Sequence, residues 1–337
     1  MKPVYIVSWL FALAISFVSC DDWLDKTPKD RLYPDVYFKT EDELRLFTNQ
    51  FYNNLVPSAV DIYSESSDLI VKSDLMLEMS GQRIIPDEGN GWNFTALRDI
   101  NFYLQYSHNC TEVNARNRYD GVARFFRAYF YFEKVKRYGD IPWYDKALDS
   151  DDPELYKARD SREFVMQKML EDLDFAIANL PKTKNAYVLT RWTALALKSR
   201  VCLFEGTFRK YHGLEDCEKY LNACVSASET FMNESGYTLY KSGSTPYRDL
   251  FASINLQADE VIFGRDYEAS LSVLHNVQNY ENSTTMGRPG MNKKIVNSYL
   301  MADGSRFTDK AGYETMTFDQ ECQNRDPRLA QTIRTPG

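Results

Sequence analysis

The chain has 337 residues, of which 44% are hydrophobic, and its 48 acidic and 40 basic residues give a formal net charge of -8. This length and apolar content exclude an intrinsically disordered chain and predict about two domains with a buried core. A nucleic-acid partner is also excluded, because phosphate binding needs clustered Lys and Arg and the sequence has no basic stripe. Aromatic residues make up 14% of the chain. Such residues suit helix packing or stacking of flat ligands such as sugars, and we expect packing to be their main use.

The N-terminus has the pattern of a bacterial lipoprotein signal. Lys2 is followed by the apolar run VYIVSWLFALAISFV, which is short for a membrane span. The motif FVSC at residues 17–20 resembles a lipobox with Phe in place of the commoner Leu. Residues 1–19 are therefore predicted to be a signal peptide and Cys20 the lipidated first residue, whose acyl chains would hold the protein to a membrane. The alternative is an ordinary secretory signal in which Cys20 is incidental.

The next segment predicts a tether followed by the first helix of the fold. Residues 20–40 are polar and contain two prolines, so we expect an extended lead between the lipid anchor and the folded part. Thr40 and Glu43 have the spacing of a capping box, which marks the start of a helix. The apolar residues that follow at helical spacing are Leu44, Phe47, Phe51 and Leu55, and the helix should end near Pro57.

Residues 58–91 have weak periodicity and are rich in Gly, Pro and Asn near their end, which predicts surface loops. Ligand contacts are expected here if anywhere. The stretch WNFTALRDINFYLQYS, residues 92–107, returns to helical spacing and places Leu97, Ile100 and Leu104 on one face.

The rest of the chain is organised around the stretch GVARFFRAYFYFEKVKRYGDIPW, residues 121–143. Two adjacent apolar stripes leave only a narrow polar sector around Arg127, Lys134 and Arg137. A helix that is apolar over most of its circumference needs protein neighbours on both flanks, which stacked helix pairs supply. Gly139 and the following Pro142 predict its end.

Three more helices are predicted downstream. Ser161 is placed to cap the first, which runs to Leu180. The second, LTRWTALALKSRVCLFEG, is apolar nearly all round and is predicted to end at Gly206. The third covers residues 215–233. The acidic linker at residues 149–155 lacks the Gly that a calcium-binding loop needs, so we expect it to be solvated.

Beyond Gly236 the sequence changes character. A short strand at residues 259–263 and joins rich in Gly, Ser and Asn predict a mixed second part. Near the end of the sequence, Asp326 and Pro327 occupy the N-cap and first position of a predicted helix or turn.

The sequence carries no recognisable catalytic, nucleotide-binding or metal-binding motif, so we expect no catalytic residue, metal or cofactor. Asp172 and Asp174 are not evidence of glycosidase chemistry, because with 48 acidic residues some pairs fall close together by chance. Cys217 and Cys224 lie about 10 Å apart on a predicted helix, which is too far for a disulfide. Cys202 is predicted to be a small core residue.

Several stretches resemble segments of the SusD/RagB family of outer-membrane lipoproteins from Bacteroidetes-type bacteria. They are DWLDKTP directly behind Cys20, FKTE at residues 38–41, ARFFRAYFYF with RYGDIPW, DSREFVMQKMLEDLDFAIANLP and RDPRLAQTI. The segment ARFFRAYFYF with RYGDIPW is the most specific match. The resemblance covers nearly the whole chain from Cys20 to Leu329.

This resemblance implies a mainly α fold. Residues 41–235 would form a SusD-like helical core of tetratricopeptide-like repeats with a period near 34 residues. Residues 236–337 would form an irregular, mixed C-terminal region. Because members of the family usually continue well past this point, we expect that region to be incomplete.

The resemblance also implies a function. Family members are non-catalytic lipoproteins, exposed on the outer membrane, that bind nutrient ligands and deliver them to a SusC-like TonB-dependent transporter. Glycans or oligosaccharides are the expected ligands here. Two other classes stay open: a surface adaptor whose repeat groove holds a peptide or partner protein, and a lipid-anchored hydrolase, which the absent motifs oppose.

The loop at residues 79–92 resembles the region where some relatives carry an aromatic platform for sugar rings. Trp92 and Arg83 are therefore the candidate ligand contacts, since an aromatic face packs on the C–H surface of a sugar and planar polar groups bind hydroxyls. Alternatively, Trp92 is a buried anchor at the helix start and Arg83 a solvated loop charge. Trp143 and Tyr144 are candidates for packing caps rather than contacts.

Overall fold

The computed structural model describes residues 34–57, 69–71, 77–85, 91–275 and 290–336. The predicted signal peptide, Cys20 and most of the predicted tether lie outside these residues. The α-helices, in chain order, are α1 (Glu41–Leu55), α2 (Leu77–Ser80), α3 (Thr95–Tyr106), α4 (Val113–Tyr138), α5 (Arg162–Asn179), α6 (Arg191–Tyr211), α7 (Cys217–Glu234), α8 (Pro246–Ala252), α9 (Lys293–Ser298), α10 (Phe318–Cys322) and α11 (Pro327–Thr332).

Within the described residues the only strands are two short ones that pair with each other. β1 (Ile70–Val71) is antiparallel to β2 (Gly290–Met291), with Ile70 opposite Met291. The prediction of a mainly α fold is therefore confirmed. Among the helices that the structure describes, none combines the length and the hydropathy needed to cross a bilayer.

The long helices pack in the order of the chain. Helix α1 contacts α3 and α4, α4 packs on α5, α5 on α6, and α6 on α7. One continuous cluster of buried apolar side chains runs through this stack, and aromatic rings from α1, α3 and α4 dominate it. Local signals set the helix starts as predicted, because Thr40 and Glu43 form a capping box for α1 and the Ser161 hydroxyl accepts a hydrogen bond from the Phe164 N–H of α5.

Helix α4 is enclosed by protein on both flanks, as its sequence predicts. It spans 26 residues, and Ala123, Ala128 and Tyr131 are completely buried. Gly139 follows it with φ +69°, a backbone conformation that residues other than Gly rarely adopt. The predicted polar sector needs one correction. Arg127 is buried rather than solvated, because it forms a bidentate ion pair with Asp172 of α5 at 2.6 and 2.7 Å.

Gly206 does not end a helix, and the prediction that it does is wrong. Helix α6 continues through it to Tyr211. A Cβ at position 206 would lie 2.7 Å from a methyl carbon of Leu221 and 3.1 Å from its backbone nitrogen. The glycine therefore lets α6 and α7 approach each other closely, and it has no role as a cap.

The predicted strand at residues 259–263 is also wrong, because this segment forms a turn and irregular backbone. Its backbone groups bond to separate partners. The Thr238 N–H donates to the Asp259 carbonyl, while the neighbouring Gly264 N–H donates to the Ala186 carbonyl. Phe263 packs on the edge of the helical core and supplies the apolar contact that its sequence suggests.

The C-terminal segment is organised around one buried cation. The Arg325 guanidinium donates to the carbonyls of Val296, Tyr299 and Glu321 and lies 3.9 Å from the centre of the Phe307 ring. Helix α11 begins as predicted, since the Asp326 carboxylate accepts from the Arg328 N–H.

Candidate functional site

A cavity of about 520 Å³ opens beside Trp92, and we call it the Trp92 cavity. Three stretches of chain line it: residues 92–101 at the start of α3, residues 142–148 after α4, and residues 155–159 before α5. The volume lies in the range of pockets that hold small molecules or short oligomers. The lining combines aromatic and aliphatic side chains with a few polar groups, as in most ligand sites.

Trp92 is held at the mouth of this cavity with part of its ring accessible. Its indole is 40% exposed and packs edge-on against Phe94 at 5.4 Å and Tyr138 at 5.0 Å between ring centres. The preceding Gly91 has φ +83°, and its carbonyl accepts a hydrogen bond from Lys134 of α4. Burial lowers the pKa of this Lys134 ammonium. Helix α4 therefore fixes the backbone that carries the indole.

Tyr144 forms the inner wall. Its hydroxyl donates to the Glu154 carbonyl at 3.1 Å, and its N–H donates to the Tyr131 hydroxyl at 2.6 Å. Burial raises the pKa of the Tyr144 phenol. The Tyr144 ring meets Phe94 edge-on at 5.7 Å. Trp92, Phe94 and Tyr144 thus place aromatic surface along one side of the cavity.

Asn101 joins the three parts of the structure that meet here. Its side-chain amide donates to the Tyr144 carbonyl at 2.8 Å, and its oxygen accepts from Arg127 at 3.2 Å. Because Arg127 is itself paired with Asp172, the cavity wall is tied through α4 to α5. This connection makes the floor of the cavity part of the rigid helical core.

Four cationic side chains line the same cavity. Three are held by neighbouring groups: Arg98 donates to the Leu148 carbonyl at 3.1 Å, Lys146 pairs with Glu154 at 2.9 Å, and Lys157 donates to the Trp143 carbonyl at 2.6 Å. The hydrogen bond that Lys146 donates to the Glu154 carboxylate raises the pKa of Lys146. The fourth, Arg159, lies 5.0 Å from the centre of the Trp92 ring, a cation–π distance.

Only one of the two ligand contacts predicted from the sequence lines the Trp92 cavity. Trp92 lines the cavity, and its exposed edge differs from the alternative of a fully buried anchor. Arg83 is exposed on the segment after α2 and does not line the Trp92 cavity. Of the two residues suggested as packing caps, Trp143 is buried and stacks on Tyr131 at 4.3 Å, whereas Tyr144 also lines the cavity.

Sequence reasoning did not find the cationic side chains or the cavity role of Tyr144. Arg98 lies on α3, and the others come from residues 142–159, where no period relates one side chain to another. The local signal that existed was the alternation of aromatic and basic residues in WYDKAL and LYKAR, which follow the end of α4.

A second cavity of about 430 Å³ lies between α1, α4, α6 and residues 260–263. Its lining is mostly apolar, from residues such as Phe125, Tyr129 and Leu197, with Arg200 and Glu260 as its charged residues. It lacks the partly exposed indole of the Trp92 cavity.

Profiles of known protein families match two parts of the chain. The profile of a family described as "Starch-binding associating with outer membrane" matches residues 79–191, and the profile of the SusD family matches residues 228–337. This chain belongs to the SusD/RagB family. Residues 79–191 include the whole lining of the Trp92 cavity.

Related SusD-like proteins are longer than this chain. It is 25% identical to SusD-like protein P38 of Formosa agariphila over 226 residues, which is 60% of this chain and 43% of that protein. It is 26% identical to SusD-like protein P2 of the same organism over 294 residues, which is 81% of this chain and 55% of that protein. The chain thus spans about half the length of these curated relatives.

Solved structures share the fold. A SusD-like protein of Bacteroides fragilis superposes with a TM-score of 0.70 at 23% identity, covering 91% of this chain and 62% of that one. A SusD-like carbohydrate binding protein of the same species gives a TM-score of 0.68 at 16% identity, covering 87% and 59%. A structure solved with xylogluco-oligosaccharide gives 0.59 at 18% identity, covering 77% and 55%. The helical stack is therefore the tetratricopeptide-like SusD fold.

Proposed function

We propose that this protein is a surface-exposed outer-membrane lipoprotein that binds glycans in the Trp92 cavity and delivers them to a SusC-like TonB-dependent transporter. The observation that best supports this proposal is a cavity of about 520 Å³ with the partly exposed Trp92 at its mouth and hydrogen-bonding side chains around it. Sugar rings bind in this way, through C–H surfaces on an aromatic face and hydroxyls on planar polar groups.

Family membership supports the class of ligand and the location. One matching profile is described as starch-binding and associated with the outer membrane, and one protein of the same fold was solved with xylogluco-oligosaccharide. Lipidation of Cys20 would supply the membrane anchor. Metabolic labelling with a palmitate analogue checks this part, since the label should enter the wild-type protein and be lost in Cys20→Ala.

The composition of the cavity favours binding over hydrolysis. Enzymatic cleavage of a glycosidic bond uses two carboxyl groups that flank it. None of the described residues that line the Trp92 cavity is Asp or Glu. A binding protein needs no such pair, so a non-catalytic role accounts for the lining.

Calorimetry with Trp92→Ala tests the glycan site. Titration of maltooligosaccharides, xyloglucan oligosaccharides and charged oligosaccharides into the wild type should identify a ligand. Trp92→Ala should then weaken its binding at least about tenfold, because the ring loses its stacking surface. Tyr156→Ala is the matched control, since Tyr156 is an 86% exposed aromatic residue close in sequence to the cavity that does not line it. Unchanged affinity in Trp92→Ala would remove Trp92 from the site.

A further inference from the structure

The charged side chains that line the Trp92 cavity have a single sign. Arg98, Lys146, Lys157 and Arg159 line it, and no carboxylate does among the described residues. This is the opposite of the chain as a whole, in which acidic residues outnumber basic ones by 48 to 40. The charged side chains that line the cavity are therefore all cationic, on a protein whose net charge is negative.

The carboxylates that accompany these cations lie outside the lining. Asp160 is 3.0 Å from Lys157 and Asp152 is 3.6 Å from Lys146, and these two carboxylate side chains are 30% and 24% exposed. Asp149 is 3.7 Å from Arg98 and Glu154 is 2.9 Å from Lys146, and these two are more exposed, at 85% and 49%. Exposed ion pairs of this kind contribute little energy and are readily exchanged. They can orient the cations while leaving the cavity-facing side of each cation available to a ligand.

Arg159 differs from the other three. Its guanidinium rests near the Trp92 ring at 5.0 Å. Lys157 pairs with Asp160 at 3.0 Å, whereas Arg159 forms no ion pair with a carboxylate of the described residues. It is exposed at the mouth of the cavity. A planar guanidinium in this position can bind a carboxylate or sulfate through two parallel N–H groups.

The N-terminal end of α3 adds partial positive charge to the same cavity. Residues of its first two turns line the cavity. The N-cap residue, Phe94, offers no side-chain acceptor, and the first turn contains no acidic residue. The Thr95 N–H donates to the Asn93 side-chain oxygen at 2.8 Å, which leaves the following N–H groups of the first turn. The N-terminal end of a helix carries partial positive charge and unpaired N–H groups, which favour an anion.

We propose that the glycan held in the Trp92 cavity is acidic, with a sugar ring on the Trp92 side and a carboxylate or sulfate group directed to Arg159 and its cationic neighbours. This inference rests on the proposed glycan-binding function and narrows its ligand class. A neutral oligosaccharide would leave four cations without an anionic partner from the ligand. An acidic one matches the indole and the positive charge together.

The test is calorimetry with pairs of oligosaccharides that differ only in charge. One pair is oligogalacturonate and its methyl ester, and the other is a sulfated galactose oligosaccharide and its desulfated form. The acidic member of at least one pair should bind at least about tenfold more tightly than its neutral counterpart, and added salt should reduce this ratio because the charges are partly solvated. The pair that shows the preference identifies whether carboxylate or sulfate is bound.

Variants assign the preference to this cavity. Arg159→Gln should reduce the ratio of acidic to neutral affinity to about threefold or less. The double variant Arg159→Gln/Lys146→Gln should abolish the ratio. Arg200→Gln is the matched control, because Arg200 is an exposed arginine that lines the second cavity and should keep the ratio of the wild type.

The outcomes separate the two proposals. Equal binding of acidic and neutral members overturns the inference and leaves glycan binding intact. A charge preference that persists in the double variant also overturns it, since the anion would then bind elsewhere. No binding of any oligosaccharide, neutral or acidic, overturns the proposed function itself.

Discussion

Asp172 and Asp174 lie two residues apart on α5 but have different surroundings. Asp172 is 2% exposed and accepts two hydrogen bonds from the Arg127 guanidinium, with Arg124 at 3.5 Å. Asp174 is 58% exposed and pairs with Lys198 at the surface. Both carboxylates have cationic partners on neighbouring helices, Arg127 on α4 and Lys198 on α6, so each has a structural use that fits the view that this pair is not catalytic.

These two residues make a matched pair of stability variants. Asp172→Ala leaves Arg127 buried without its counter-ion, and we expect a loss of about 3–5 kcal/mol in the free energy of unfolding. Asp174→Ala removes only an exposed ion pair and should cost at most about 1 kcal/mol. Urea denaturation followed by circular dichroism measures both. Equal losses of stability in the two variants would show that burial of the Arg127–Asp172 pair does not increase its contribution to the free energy of unfolding.

A double variant separates two causes of destabilisation: an unpaired buried charge and the loss of side-chain packing. Replacing both partners, as in Arg127→Met with Asp172→Leu, removes the buried charge and should recover much of the stability lost in Asp172→Ala. No recovery in the double variant would indicate that the hydrogen bonds to Asn101 carry the effect instead.

The candidate site could be predicted from the sequence only in part. Trp92 is a candidate because the loop at residues 79–92 resembles the region where some relatives carry an aromatic platform, and the structure places it at a cavity. Arg83 is a candidate from the same loop but does not line that cavity. The cations at 146, 157 and 159 depend on how an irregular loop folds over α3, and no sequence period encodes that geometry.

At the scale of helices, two interior glycines have opposite roles. Gly206 on α6 faces Leu221 of α7 with 2.7 Å to a side-chain carbon of that residue. Gly121 on α4 faces Leu180 with 3.4 Å, which leaves room for a methyl group in ordinary contact. Both positions are helical, so the two differ in the space around them and not in backbone conformation.

Substitution by Ala should therefore change stability in opposite directions. Gly206→Ala gains helix propensity but forces α6 and α7 apart, and we expect a net loss of about 1–2 kcal/mol. Gly121→Ala should be neutral or more stable by up to about 1 kcal/mol, because propensity improves without a clash. Thermal unfolding compares the variants. A stabilised Gly206→Ala would mean that Leu221 can move aside freely.

The same glycine shows where sequence reasoning about elements fails. Capping signals predicted the starts of α1, α5 and α11 because they depend on residues within four positions of one another. A glycine near the end of an apolar run fits either a C-terminal cap or a close helix contact, and only the neighbouring helix decides. The predicted strand at 259–263 failed for the same reason, since a strand needs a partner that local sequence does not reveal.

At the scale of the whole molecule, many more apolar side chains of the described chain are buried before the predicted boundary between residues 235 and 236 than after it. The continuous core of α1 and α3 to α7 holds most of the fully buried side chains. After residue 236, the buried apolar side chains among the described residues are Met301, Phe307 and Leu329. Large apolar side chains such as Phe251 and Ile254 are 73% and 98% exposed there. The boundary itself stays a prediction.

This division predicts two levels of hydrogen-exchange protection. Amides of α4 and α6 should exchange slowest, because opening them exposes the main core. Amides after residue 236 should exchange much faster, with one protected group around Arg325: the N–H groups of Met301, Ala302 and Asp326, which donate to backbone carbonyls at 2.8 to 2.9 Å. Hydrogen exchange followed by mass spectrometry measures all of these segments in one experiment.

Phe307→Ala tests whether that protected group is a separate unit. Phe307 is 1% exposed and supports the Arg325 guanidinium, so its loss should release the amides near residues 301 and 326. Because Phe307 is not part of the main buried cluster, α4 and α6 should keep their protection. Loss of protection throughout the chain would instead show that the helical core and the C-terminal segment unfold as one cooperative unit.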